Sequence, residues 1–431
     1  MAFESERRKA KLSDVASFQE GYVNPPQSKN EYFDGDIKWL RAVDLNNARV
    51  HSTSRTLTLE GFRSAGKSAV LFSPGTLAIS KSGTIGRLGI LEDYMCGNRA
   101  VINIRPTEFV DTRFIFYSLM MARDRIQTLA EGSVQKNLYV SAIGSLDIEL
   151  PDLREQRAIA ETIGTLDDRI DLLSQTNATL ETTAQALFKS WFVDFDPVRA
   201  KAEGRESEGM DPDTAALFPS AFEDSELGLI PKGWRVGRLG ELCQNIRAQA
   251  KPETLDASTP YIGLEHMPRG SIALTNAGTV DGLASGKFWY ATNDVLFGKL
   301  RPYFHKVGIA SHTGVCSTDI LVIRAGDQAW FGYTAMHLSS EAIIAYATRL
   351  SNGAKMPRSS WKDIAGFKVV IPTEQVAEAF NGMIRSFIGR IHTNIEVGRS
   401  LAGLRDSLLP RLISGRLRLP EAEEAGEDAL A

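Results

Sequence analysis

The stretch from Leu153 to Phe192 contains no proline and a single glycine, Gly164. Its apolar residues fall at Ile159, Ile163, Leu166, Ile170 and Leu173, and after Asn177 at Leu180, Ala184, Leu187 and Trp191, alternating steps of four and three. That spacing is a heptad seam and predicts one helix roughly 60 Å long at ~1.5 Å per residue. Such a helix is too long for an ordinary element of a compact domain and too polar outside its seam to be buried all round. It requires a partner helix.

The partner lies in the same chain. Sliding the sequence along itself by 221 residues puts Leu150-Pro151 over Ile371-Pro372, Ile163 over Ile384, Arg169-Ile170 over Arg390-Ile391, Leu180 over Leu401 and Leu187 over Leu408 without a gap. The second copy keeps its seam at Phe380, Ile384, Phe387, Ile391, Leu401, Leu408 and Leu412 but places Asn394, Gly398 and Arg405 at seam positions, which makes it the weaker helix. In an antiparallel pair an a position lies level with a d position, and Asn177 and Asn394 are of those two kinds. Facing them across the pair sets a register with Ile170 near Leu401, Ile163 near Leu408, Leu180 near Ile391 and Leu187 near Ile384, with Leu166 opposite Arg405 as the one poor layer. A shift by one heptad is the alternative.

The chain has 431 residues, 43% of them hydrophobic, enough for more than one core. No run approaches the ~20 apolar residues of a membrane span, and the charged start MAFESERRKAK lacks the apolar segment of a signal peptide, so a cytoplasmic protein is expected. Cys96, Cys243 and Cys316 are far apart and unaccompanied by clustered histidines, which encodes neither a disulfide framework nor a metal site. The net charge of −4 is unevenly spread: residues 1–150 and 232–370 carry +2 and +6, whereas residues 151–231 and 371–431 carry −10 and −2. The two globular segments are the basic ones, a weak pointer to a polyanion.

In chain order, residues 1–150 read as a mixed α/β domain: LSDVASFQEGY, the breaker NPPQSKN, strand-like IKWLRAVDL, glycine-separated strands VLFSPGTLAIS, RLGILED and AVINIRP, and a helix in RFIFYSLMMARDRIQTLA. The first long helix occupies 151–192. Residues 193–231 form an acidic, proline-broken surface connector. A second domain, 232–371, repeats the first loosely: TPYIGLEHM stands for IKWLRAVDL, NDVLFGKLRPYFHKVGI for PGTLAISKSGTIGRLGI, and GAKMPRSSWKDIAGFKVVIP for GSVQKNLYVSAIGSLDIELP. The second long helix follows at 372–415, and 416–431 is a charged, unpatterned tail expected to be disordered.

Two motifs invite an enzymatic reading. Gly61 to Ser68, GFRSAGKS, formally matches the phosphate loop GxxxxGK[ST], but such a loop must follow a buried strand and open a helix, and here AVLFSPGTLAIS follows at once. Asn24-Pro25-Pro26-Gln27 approaches the NPP[YF] tetrapeptide of adenine methyltransferases, with a glutamine where the stacking aromatic ring belongs. A proline turn accounts for it. The chain reads as having no catalytic centre of its own.

Two α/β domains each followed by a long helix, with the first helix ending in ALFKSWFVDFDPV and the second domain entered through ELGLIPKGW, resemble the specificity subunit of type I restriction-modification systems. LPDLREQRAIA, ISKSGTIGRLGI, VLFGKLRPYFHKVGI and GSVQKNL are further family-like stretches, and PTEQV at Pro372 to Val376 departs from the expected P-x-x-EQ spacing. The resemblance covers nearly the whole chain. It implies two target-recognition domains, each reading one half of a split double-stranded DNA site, held apart by two long antiparallel coiled-coil helices. It also implies docking of two methyltransferase subunits, with motor-nuclease subunits outside them. S-adenosylmethionine, ATP and magnesium would belong to those partners, no cofactor to this chain.

A recognition domain needs cations for phosphates and amide or guanidinium groups for base edges, offered from loops. The candidates are Lys81, Ser82, Arg87, Gln135, Lys136 and Asn137 in the first domain, and Lys299, Arg301, Lys306, Lys355 and Arg358 in the second. Solvated surface charge is the ordinary explanation of any one of them. Trp191 and Phe192 are expected in seam or core packing more than in a methyltransferase contact. Two rival classes remain: a coiled-coil adaptor that binds no DNA, and a nucleotide-dependent enzyme built on GFRSAGKS. The unlike loops SKSGTIGR and GKLRPYFHK predict a non-palindromic target, and the helix pair is expected to act as a ruler for the spacer between half-sites.

Overall fold

The computed structural model describes residues 7–132, 136–283, 285–351 and 356–417. They fall into two compact units, Met1–Leu172 with Gly398–Ala431, and Leu173–Val397. Each long helix runs through both, because the first spans Leu153–Phe192 and the second Glu374–Ile413.

Local chemistry sets the helix ends. Asp152 caps the first helix by accepting from the Glu155 amide at 2.8 Å, and Phe195, in the left-handed region at φ 56°, turns the chain away after it. The second helix starts at Glu374, the same 221-residue offset from Leu153, so the shifted PTEQV spacing does not move its start. It tolerates Pro410 in its last turn and stops where Gly415 takes φ 71°. The guanidinium of Arg7 donates to the carbonyls of Leu412 and Ile413 in the last turn and pairs with Glu155 at 2.7 Å, placing a cation at the negative end of the helix dipole.

In the first unit, a five-stranded sheet has the order Ala16–Glu20, Val101–Pro106, Leu77–Ser80, Leu88–Leu91, Ala48–Val50. All its pairings are antiparallel except the last, which is parallel. Beside it, Phe33–Leu40 pairs in parallel with Met95–Gly97. Arg8–Lys11 pairs with Asp147–Leu150 at the entrance to the first long helix. The helix expected over residues 113–130 is two, Thr112–Met121 and Arg123–Thr128, broken where Ala122 leaves helical geometry. Among the helix residues of this unit, Ile159, Ile163 and Leu166 are buried from the first helix, and Leu401, Leu408 and Leu412 from the second. Arg405 does not form a bare polar layer: it donates to Asp167 at 2.7 Å, and Asp167 also accepts from the Tyr117 hydroxyl at 2.7 Å.

The second unit repeats this architecture. Cys243–Ile246, Ile320–Ala325, Val295–Gly298 and Val307–Ile309 form a four-stranded antiparallel sheet, and Pro260–Ile262 pairs in parallel with Gly314–Cys316. Arg235–Arg238 pairs with Lys368–Ile371 just before the second long helix, as the entrance strands do in the first unit. The core is an aromatic cluster of Phe188, Trp191, Phe192, Phe195, Phe218, Trp234, Tyr333 and Phe380. Phe192 meets both Tyr333 and Phe380 edge-on at centroid distances of 4.9 Å, and Trp191 meets Phe218 at 5.0 Å. Trp191 and Phe192 are therefore core residues.

The stretch 193–231 is more than a surface connector. It folds into Asp196–Ala202, Pro212–Ala216 and a hairpin of Phe222–Ser225 with Gly228–Pro231, and buries Phe195, Val198, Phe218 and Ile230. Its acidic composition hid four apolar anchors too widely spaced to register as a periodic element. The buried stripes of the long helices are likewise wider than a seam: Phe188, Ile388 and Ile395 are buried beside the a and d positions, whereas Phe387 is only half-buried. Each helix packs against a globular part as well as against its partner, so a two-per-heptad pattern understates its buried face.

Among the described residues no helix is long and apolar enough to cross a membrane, and no group of histidine, cysteine and carboxylate side chains is arranged to hold a metal. The three cysteines are buried thiols whose pKa burial pushes up to about 12, which removes them from thiolate chemistry.

Candidate nucleic-acid interface

The two enzymatic motifs resolve into ordinary structure. Gly61 lies inside a short helix, Leu59–Arg63, capped by Thr58, and Lys67 sits in a following 3-10 turn rather than at a helix N-terminus. A Cβ on Gly61 would come within 2.1 Å of the Tyr32 carbonyl, so close backbone approach, not phosphate binding, accounts for the glycine. The NPPQ segment leads into a turn over residues 26–29, closed by Lys29 N donating to Pro26 O, and Arg55 donates to the Gln27 side chain at 2.7 Å.

The nominated loop residues come together within each unit. In the first, residues 81–87 connect strands Leu77–Ser80 and Leu88–Leu91 as a hairpin loop, tied by Ser80, whose hydroxyl donates to Thr84 O and accepts from Arg87 N. The segment before the short helix Val140–Gly144 lies against it, because Leu138 N donates to Lys81 O at 2.8 Å. Lys81, Ser82, Arg87 and Asn137 are half-buried and Lys136 is exposed, while Gln135 lies outside the described residues. Lys81 pairs with Glu20 at 2.7 Å, and the Asn137 main chain bridges to Glu131, so both also have structural duties.

In the second unit the same two segments meet through the equivalent bond. Residues 299–306 connect Val295–Gly298 and Val307–Ile309, and Ser359 N donates to Lys299 O at 3.1 Å as Leu138 N does to Lys81 O. Two further main-chain ties hold this junction, Arg301 N to Pro357 O at 2.8 Å and a bridge between Leu300 and Arg358. Arg358 is exposed and lies 3.4 Å from Asp319, and Lys355 lies outside the described residues. Lys306 donates to Leu264 O, and burial, then the nearby Arg269 guanidinium, push its pKa down, with Glu265 opposing.

The backbone of this loop is the more telling feature. In the first hairpin, Gly83 and Gly86 take φ of 74° and 85°; in the second, the matching turns are made by Arg301 and His305 at φ 51° and 49°. A side chain in the left-handed region costs about 1–2 kcal/mol that glycine does not. Between them Pro302–Phe304 forms a 3-10 turn that leaves Tyr303 half-exposed, and Phe304 carries Arg269 over its ring at 3.9 Å. Tyr303, His305 and Arg269 were not among the nominated residues. The alignment of the two copies finds His305, which it sets against Gly86; Tyr303 stands against Thr84, and Arg269 lies outside the aligned stretch.

One mixed α/β module is present twice, each copy leading into a long helix and each carrying a loop pair with basic residues on the same framework. Residues 4–182 match the family described as Type I restriction modification DNA specificity domain. The chain is 24% identical to the type I restriction enzyme MjaIX specificity subunit of Methanocaldococcus jannaschii, over 95% of this chain and 93% of that one. It is 26% identical to the type I restriction enzyme HindI specificity subunit of Haemophilus influenzae, over 76% and 82%. The crystal structure of the type I restriction-modification S subunit from M. genitalium shares its fold, with a TM-score of 0.51 at 16% identity over 96% of this chain and 97% of that one. Residues 4–182 thus match a type I specificity-domain family, and the chain as a whole is similar to type I restriction enzyme specificity subunits.

Proposed function

We propose that the chain reads a bipartite, non-palindromic double-stranded DNA site, with residues 1–150 and 232–371 each recognising one half. In this reading it docks two methyltransferase subunits and, with them, the motor-nuclease subunits, in the cytoplasm. The observation that carries the proposal is the pair of equivalent hairpins. The Lys81–Leu138 and Lys299–Ser359 main-chain bonds build one framework twice, and the side chains mounted on it differ. A reader of two unlike half-sites needs this division, because the framework fixes the approach to the duplex while loop side chains choose the bases. Strain accepted at Arg301 and His305 supports it, since a side chain kept where glycine would be easier is one the protein uses.

The test is mapping of methylated adenines with the methyltransferase complex assembled on wild-type chain, on Lys136→Ala and on Arg358→Ala. Arg358→Ala is expected to weaken or relax one half-site, by about 1–3 kcal/mol if it meets a base and less if it meets a phosphate. Lys136→Ala should affect the other half-site only. Equal, sequence-independent loss on all DNA from both variants would reduce the loops to unspecific cationic surface, and a palindromic wild-type target would overturn the two-reader scheme.

A further inference from the structure

The second hairpin differs from the first in what holds it from behind. His305, at the end of the 299–306 loop, has its main-chain carbonyl bonded by Gly270 N at 2.9 Å. Its ring Nε2 lies 2.9 Å from the Ser339 carbonyl, and Nδ1 lies 3.3 Å from Glu341. Both of the segments it touches are in turn held by the first long helix. Gln185 donates to the Ser339 hydroxyl at 2.8 Å. Glu181 accepts from the Ser271 hydroxyl and from Ile272 N, each at 2.8 Å, next to Gly270. These groups surround a cavity of about 290 Å³ rather than a packed interface, so the loop is located at this edge by a few polar ties.

In the first hairpin the matching position is Gly86, with no side chain to anchor, and its loop is tied within its own domain by Gln127 donating to Ile85 O at 3.5 Å. The residues of the second long helix that the 221-residue offset matches to Glu181 and Gln185 are Ala402 and Asp406, and Asp406 pairs with Arg405 instead.

We infer that Glu181 and Gln185, on the helix outside the second recognition domain, are positioning residues that set base selectivity at the second half-site by holding His305 and the 299–306 loop. The inference rests on the two-reader function proposed above. Glu181 is buried enough that its pKa is raised, yet it stays a double acceptor, so the carboxylate is retained for what it holds rather than for solubility. A polar tie bordering a cavity can be removed without emptying a core, which lets selectivity change while the fold persists.

The experiment compares wild type, Gln185→Ala, His305→Asn and the double variant as full chains in the methyltransferase complex, on DNA carrying single mismatches in either half-site. Asparagine tolerates the left-handed backbone but cannot reach the Ser339 carbonyl and Glu341 together. The expected result is that methylation of sites mismatched in the half-site disturbed by Arg358→Ala rises about five-fold relative to the matched site in each single variant. The double variant should show no further rise, with the other half-site and the thermal midpoint unchanged. Additive effects, or an equal loss at both half-sites, would overturn the inference. A wild-type complex that maps to no bipartite motif would instead overturn the underlying function.

Discussion

His337 shows how far a single residue can depart from what its type suggests. It sits within the aromatic cluster, 4.6 Å from Phe188 and 4.5 Å from Tyr333 by ring centroids, with Nε2 buried and unpartnered among the described residues. Burial pushes its pKa down to about 3. The unfolded chain protonates this histidine below about 6.5, the folded one not until about 3, so its contribution to stability is complete above pH 6.5 and is lost as the pH falls through that window. His337→Leu, of similar volume, is expected to abolish that term: urea midpoints at pH 7.5 and 5 should draw together in the variant relative to wild type. An unchanged difference would mean that the buried ring is protonated in both states. Nothing local in the sequence marks this burial, because the neighbours of His337 come from Phe188 and Phe367 as well as from its own helix.

At the scale of elements, the structure brings Asn177 and Asn394 together, with Asn394 Nδ2 donating to Asn177 Oδ1 at 2.8 Å in a buried layer. Replacing one partner strands a buried amide, so Asn177→Leu is expected to cost about 1–3 kcal/mol. Asn177→Leu with Asn394→Leu should recover most of it by completing the apolar seam, at the expense of the register the amide pair specifies. Denaturant midpoints of both singles and the double decide this; a double variant as unstable as the summed singles would show that the bond is not the dominant coupling. The long helices were legible because a periodic pattern sustained over ten turns is a strong signal, whereas the break at Ala122 was not, since its residues keep helical period on both sides.

At the scale of the whole chain, both long helices are continuous through the division between the compact units, so a matched insertion in each preserves the seam. Seven residues added near Asn177 and seven near Asn394 lengthen the pair by ~10 Å at ~1.5 Å per residue. With ~3.4 Å per base pair, and bending absorbing part of the change, the spacer between half-sites is expected to grow by about one to three base pairs while both half-site sequences stay the same. Methylation mapping of the insertion variant measures this. The original spacer at full occupancy would mean that the methyltransferase subunits set the distance.

Sequence alone determined the duplicated mixed α/β plan, the two long helices and the asparagines at matching seam kinds, because each of these rests on periodicity or on self-alignment, which need no knowledge of distant contacts. It also nominated recognition candidates on segments that fold against one another within each unit. Tertiary structure alone decided that Lys81 is tied to Glu20, that Arg405 is neutralised by Asp167, and that the acidic connector feeds Phe195, Val198 and Phe218 into a core. It alone found the left-handed Arg301 and His305 and the Glu181 and Gln185 ties behind them. The side-chain ties among them join residues 61 to 238 positions apart, and no local pattern records such meetings.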